Sequence, residues 1–211
     1  MSRIDELIAQ LCPDGVEFKA LGEVCNSPKK GTLKTGELSE NGKYPVINSG
    51  REWYGRYDAY NNDGNAISIA ARGEYAGFLS YIGEKFWAGG LCYPYRSKNE
   101  LIASTKYIYY ALKRQEHFIM NTLVARGSIP ALNKSDMDAF KIPIPPLEVQ
   151  REIVKVMDTF TELEAELEAR QQQYEYYRDR LLTFKELPSP GGVPEERGGL
   201  FSSPREGTAR P

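Results

Sequence analysis

KIPIPPLEVQREIVKVMD, residues 141–158, decides the architecture of this chain. Pro143, Pro145 and Pro146 lack backbone N–H donors and hold their predecessors extended, so no helix runs through them, while Pro146 suits the first turn of a helix that follows. A strand end therefore meets a helix start at a sharp junction. From Ile153 onward the large or apolar residues alternate at spacings of three and four: Ile153, Val156, Phe160, Leu163, Leu167, Arg170, Tyr174, Tyr177, Leu181 and Phe184. That is a coiled-coil seam of more than four heptads, with Ile153, Phe160, Leu167, Tyr174 and Leu181 at position a and the others at d. The plainer reading is one long helix packed on its own domain.

The charges beside the seam argue for its direction. Glu164 and Glu166 are acidic where Arg178 and Arg180 are basic, so two parallel copies would set like charges together and two antiparallel copies would not. With a two-fold axis near Gln172, Phe160 meets Leu181 or Phe184, Leu163 meets Leu181, Leu167 meets Tyr177, and Arg170 lies against Tyr174 of the other copy. The same register brings Glu164 near Arg178 and Glu166 near Arg180. A cation over an aromatic face contributes about 0.5–2 kcal/mol, so Arg170 becomes a register device. The expectation is an antiparallel homodimer of helices about 50–60 Å long at 1.5 Å per residue, with a globular domain at each end. Exposed ion pairs of this kind favour orientation more than stability.

Outward from the junction, the chain reads as a globular domain over 1–146, the helix over 147–186 and a tail over 187–211. The tail holds five prolines and five glycines without apolar periodicity, which predicts disorder, and no function is assigned to it. Cys12, Cys25 and Cys92 are odd in number and lack metal-ligand spacing, which fits a reducing cytoplasm. The opening MSRIDELIAQL sets Ile4, Leu7, Ile8 and Leu11 on one face of a short amphipathic helix and lacks the apolar core of a signal peptide. No run is long enough to span a membrane. The net charge of -2 hides an asymmetry: residues 1–146 hold 18 Lys/Arg against 16 Asp/Glu, and residues 147–186 hold 6 against 10. A mildly basic head on an acidic helix fits a head that meets nucleic acid.

Within the head, Tyr44–Ile47, Ala66–Ala71, Gly77–Ile82 and Phe86–Tyr95 read as strands broken by NSG, NNDG, ARGEYAG and WAGG turns. Ser104 caps a helix running to about Phe118, and Asn133 or Ser135 opens a short helical turn before the prolines. The class is α+β: a curled mixed sheet with few helices and long loops. Those loops set basic residues beside aromatics and small polar groups: Lys29, Lys30 and Lys34; Arg51, Tyr54, Arg56 and Tyr57; Arg72 and Tyr75; Arg126, Ser128, Asn133 and Lys134. Lysines and backbone amides suit phosphates, whereas Arg and Asn can read base edges through paired hydrogen bonds in the major groove of double-stranded DNA. The plain alternative makes these ordinary exposed charges, with Trp53, Trp87 and most tyrosines filling the core.

Catalytic readings fail on spacing. Pro13, Asp14, Glu17 and Lys19 spell a PD followed by ExK, but two carboxylates separated by two residues in a turn do not make the two-strand cation site of a nuclease. IPPL at 144–147 lacks the polar residue and the aromatic of a methyltransferase motif. His117, at a helix end, reads as a surface or capping residue rather than a general base. Neither GTLKTGE nor WAGGLC matches a phosphate-binding loop, and no metal site is expected.

PDGVEFKALGEV near the start, YPVINSG and FWAGG in the head, RGSIPALNKSDMDAFKIPIPPLEVQREIV and the long helix resemble the DNA-specificity subunits of type I restriction-modification systems. The resemblance covers about residues 5–186, and Arg126–Val154 is its specific part. It implies a target-recognition domain that grips one half of a split DNA sequence, followed by a helical spacer. The family normally has two of each, and this chain has one, so two copies joined by the antiparallel coiled coil would rebuild the layout and read a palindromic, bipartite target. The resemblance also implies docking of methyltransferase subunits, which bring S-adenosylmethionine, and of a translocating restriction subunit that uses ATP. The chain itself would do no chemistry and hold no cofactor. The competing reading is a coiled-coil scaffold or a degenerate specificity-subunit fragment without DNA recognition; salt-sensitive DNA binding separates the two, because phosphate contacts release counterions.

Overall fold

The computed structural model describes residues 3–184, so the tail expected to be disordered, 187–211, lies outside the described residues. The chain divides into two compact units, one ending at Ala165 and one beginning at Glu166. The first opens with α1 (Arg3–Leu11), β1 (Phe18–Ala20), α2 (Leu21–Val24) and β2 (Cys25–Asn26), and a single 3-10 turn at Thr35–Glu37 leads on to the strands. These are β3 (Tyr44–Ile47), β4 (Gly55–Tyr57), β5 (Ala66–Ala70), β6 (Leu79–Ile82), β7 (Trp87–Ala88) and β8 (Cys92–Ser97). Then come α3 (Thr105–Lys113), α4 (Glu116–Phe118), a π-helical turn at Ile119–Leu123, β9 (Val124–Ala125), β10 (Ala131–Leu132), α5 (Lys134–Asp138), β11 (Lys141–Pro143) and α6 (Leu147–Leu182).

The α+β class is as the sequence implies, and its pairing is mixed. An antiparallel sheet runs β2-β8-β5-β6, and a second sheet runs β4-β3-β7 with β3 and β7 parallel. β1 pairs with β11 and β9 with β10 as short ribbons. β5 reads AISIA and every residue is buried, because each face of the strand has its own core. Alternation sends Ile67 and Ile69 to the main core with Leu21, Ile108, Leu112, Ile119, Met137 and Ile142. It sends Ala66 to a second cluster with Ile47, Ile82, Phe86, Ala88 and Cys92. All three cysteines are buried, and burial pushes the Cys25 thiol up to about 12 and raises that of Cys92.

The expected strand Phe86–Tyr95 is two strands in two sheets: β7 pairs with β3, and β8 pairs with β5. The chain changes sheets at Gly89, where a Cβ would stand 2.9 Å from Asn48 Oδ1 and 3.0 Å from Ile47 O. Ser104 does cap a helix, its hydroxyl accepting from Tyr107 N at 3.1 Å, but α3 stops at Lys113 rather than near Phe118. Glu116 explains the break. Its carboxylate accepts from Leu79 N on β6 at 3.0 Å and pairs with Lys113, drawing the next turn onto the sheet edge.

α6 begins directly after the prolines and is seated in the first unit. Val149 packs with Leu7 and Cys12, and Ile153 lies against both that cluster and the main core. Asp158 accepts from Tyr110 Oη and pairs with Lys106 at 3.0 Å.

Candidate nucleic-acid interface

Four loops adjoin one another through specific bonds. Thr35 Oγ1 and Tyr54 Oη share a hydrogen bond of 3.3 Å, joining the loop before β3 to the β3–β4 loop. Arg51 of the β3–β4 loop lies with its guanidinium 5.0 Å from the Tyr75 ring centre and 5.7 Å from that of Phe78, which joins it to the β5–β6 turn. Gly73 N donates to Pro130 O at 2.9 Å and Arg72 bridges to Ala131, which joins that turn to the β9–β10 loop. Of the residues expected to meet DNA, the structure thereby brings Lys34, Arg51, Tyr54, Arg72, Tyr75, Arg126 and Ser128 onto one run of adjoining loops. Two clefts of about 370 and 430 Å³ share Asn48, Tyr54 and Leu91. Trp87 lines the first; Arg51, Trp53 and Tyr75 line the second.

Other expected residues have their polar atoms engaged inside the chain. Lys30 Nζ donates to Gly90 O at 3.0 Å and stands over the Tyr93 ring, which holds the sheet change in place. Arg56 donates to Gly42 O at 2.6 Å and Lys43 O at 2.9 Å, clamping the turn before β3. Tyr57 packs edge-on against Trp87 at 5.3 Å. Asn133 Nδ2 donates to Asp136 at 3.1 Å, and Lys134 pairs with Asp138 at 2.6 Å. Burial works against the Asp138 carboxylate, but the Lys134 ammonium and the Tyr95 hydroxyl outweigh it and hold its pKa below 3.8. On the run of loops itself Arg126 also has an internal bond, to Asn121 at 3.0 Å; Lys29 is exposed while its carbonyl accepts from Asn62 at 2.8 Å.

Trp53 is not in the core: it is 54% exposed, with the Arg56 guanidinium over its ring at 5.5 Å. Trp87 is half-buried, while Tyr95 and Tyr107 are buried. Trp53, Asn48 and Leu91 belong to the clefts without having been singled out by sequence. Asn48 acts from within, its Oδ1 accepting from Leu91 N at 2.9 Å. The signal for Trp53 was its place between Arg51 and Tyr54 in a loop. Asp14 lies in a turn, Glu17 pairs with Lys19 at 3.2 Å, and His117 shares contacts with Asn121.

Along α6 the seam residues differ in kind. Ile153 is packed inside its own chain and Val156 is half-buried, whereas Phe160, Leu163, Leu167, Tyr174, Tyr177 and Leu181 are each about half or more exposed; α6 ends at Leu182, short of the expected 186, so Phe184 lies beyond the helix. Arg170 pairs with Glu166 one turn earlier at 2.6 Å.

A sheet scaffold that carries arginine- and tyrosine-bearing loops, followed by a heptad helix with an exposed apolar stripe, is the architecture of an α+β head with a helical arm. The chain belongs to the family described as the type I restriction modification DNA specificity domain, which it matches over residues 13–174. It is 33% identical over 195 residues to a Haemophilus influenzae protein provisionally named a type I restriction enzyme specificity subunit, covering 82% of this chain and 47% of that one. It is 30% identical over 214 residues to the EcoR124I/EcoR124II specificity subunit of Escherichia coli, covering 88% and 48%. The crystal structure of a type I restriction-modification S subunit from M. genitalium shares the fold, with a TM-score of 0.66 at 24% identity over 78% of this chain and 46% of that one. The chain thus spans about half the length of the curated relatives it matches.

Proposed function

We propose that this chain is the sequence-reading component of a type I restriction-modification complex, contacting one half of a bipartite DNA target through its run of loops. The observation that carries this reading is the coincidence, within the family match, of those adjoining loops with the exposed Arg51, Arg72 and Arg126 that they carry. Exposed cations beside aromatic and small polar groups suit phosphate and base-edge contacts together. The bare stripe from Phe160 to Leu181 supports pairing with a second copy, antiparallel, since Glu164 and Glu166 then face Arg178 and Arg180. Two heads related by a two-fold axis read two identical half-sites across an unread spacer. Methylation and cleavage then fall to partner methyltransferase and restriction subunits, which carry S-adenosylmethionine and ATP, and the work takes place in the cytoplasm, where the DNA is.

Selection of binding sites from random duplex DNA tests this. The expected outcome is a symmetric, gapped motif whose binding weakens steeply as salt rises, with each phosphate contact contributing about 0.9 to the logarithmic slope. No enriched motif, together with salt-independent behaviour, would leave only the scaffold reading.

A further inference from the structure

Arg51 stands apart from the other loop arginines. Arg56 donates to two carbonyls and Arg126 to Asn121, while Arg72, like Arg51 without a side-chain hydrogen bond or ion pair among the described residues, has no aromatic ring beside it. Among the described residues the Arg51 guanidinium has neither hydrogen bond nor ion pair, although Glu52 is its chain neighbour; its contacts are the faces of Tyr75 and Phe78. Two aromatic rings beside a guanidinium restrict where it lies while leaving its N–H donors open, so the side chain is placed before any ligand arrives. It lines the cleft of about 430 Å³ with Asn48, Trp53, Tyr54 and Leu91. A phosphate contact needs charge but little pre-positioning, and the lysines and other arginines of the neighbouring loops suffice for it. A held, donor-only fork instead matches a base edge with two adjacent acceptors. Guanine presents such an edge in the major groove through O6 and N7, whereas adenine sets an acceptor beside a donor.

We infer that Arg51 reads a guanine in the half-site, donating two parallel N–H bonds to O6 and N7, with Tyr75 and Phe78 as the surface that positions it. This rests on the reading of the chain as a DNA-recognition subunit. The test enriches sites from random duplex DNA with the full chain as wild type, Arg51→Lys and Tyr75→Leu. The wild type selects a motif containing a guanine at which Arg51→Lys lowers preference roughly ten- to hundredfold. Other positions and the salt slope stay unchanged, because the charge remains. Tyr75→Leu, with the arginine intact, lowers preference at the same position by a smaller factor. Retained guanine preference in Arg51→Lys, or loss of a different base, overturns the inference and leaves the recognition reading standing. A wild type that enriches no sequence overturns that reading and the inference with it. Arg51 is exposed, so Arg51→Lys decides the matter even if Tyr75→Leu fails to fold.

Discussion

Gln150 shows how much one side chain can settle. It is fully buried, its Nε2 donates to Ile102 O and Pro145 O at 2.8 Å each, and its Oε1 accepts from Ser104 N at 2.9 Å. One amide thus joins the proline junction, the first turn of α6 and the cap of α3. Gln150→Leu removes all three bonds, the one to Pro145 O buried and the other two part-buried. We expect a loss of about 2–4 kcal/mol, read as a lower urea midpoint at unchanged slope. Asp138 makes a second prediction at this scale. Its folded pKa lies below the ordinary value, so its contribution is present above about pH 4, where the unfolded carboxylate is ionised, and is lost as pH falls through the folded value. The melting temperature of the wild type should therefore fall further between pH 4 and pH 2 than that of Asp138→Asn.

The long helix tests the logic of a repeat. Leu167 is 58% exposed and belongs to the stripe, so Leu167→Asp should turn a dimer into a monomer by mass in solution while changing the stability of the head by no more than about 0.5 kcal/mol. A wild-type monomer would remove the pairing from the proposed function. The start of this helix was legible because three prolines allow few alternatives, and its stripe because threes and fours persist over several turns. The division of labour along it was not legible: the same period that offers Phe160 to a partner commits Val149 and Ile153 to α1 and the main core. Likewise the β7–β8 break depends on the crowding of Gly89 by Asn48, and the end of α3 depends on Glu116 reaching Leu79. Contacts between residues far apart in sequence leave no local signature. The loops were readable as loops from Gly, Asn and Ser, but which cations point outward was decided by such distant partners as Gly90 for Lys30 and Gly42 for Arg56.

For the molecule as a whole, net charge does not decide what it can bind. A chain at -2 can still meet a polyanion if its cations are grouped, and the loops at Lys34, Arg51, Arg72 and Arg126 group them while the acidic excess sits on the helix. The family match covers that head and most of the helix together. The buried cysteines have a bearing on assembly. Cys12, Cys25 and Cys92 all lie inside the head, and Leu147–Leu182 contains none, so no covalent bond can lock one helix to another. Any association of copies through the stripe then obeys mass action. If two copies meet on DNA as proposed and free chains are mostly single, occupancy of a two-copy site rises with the square of their concentration, and a modest change in supply becomes a steep change in how much DNA is held.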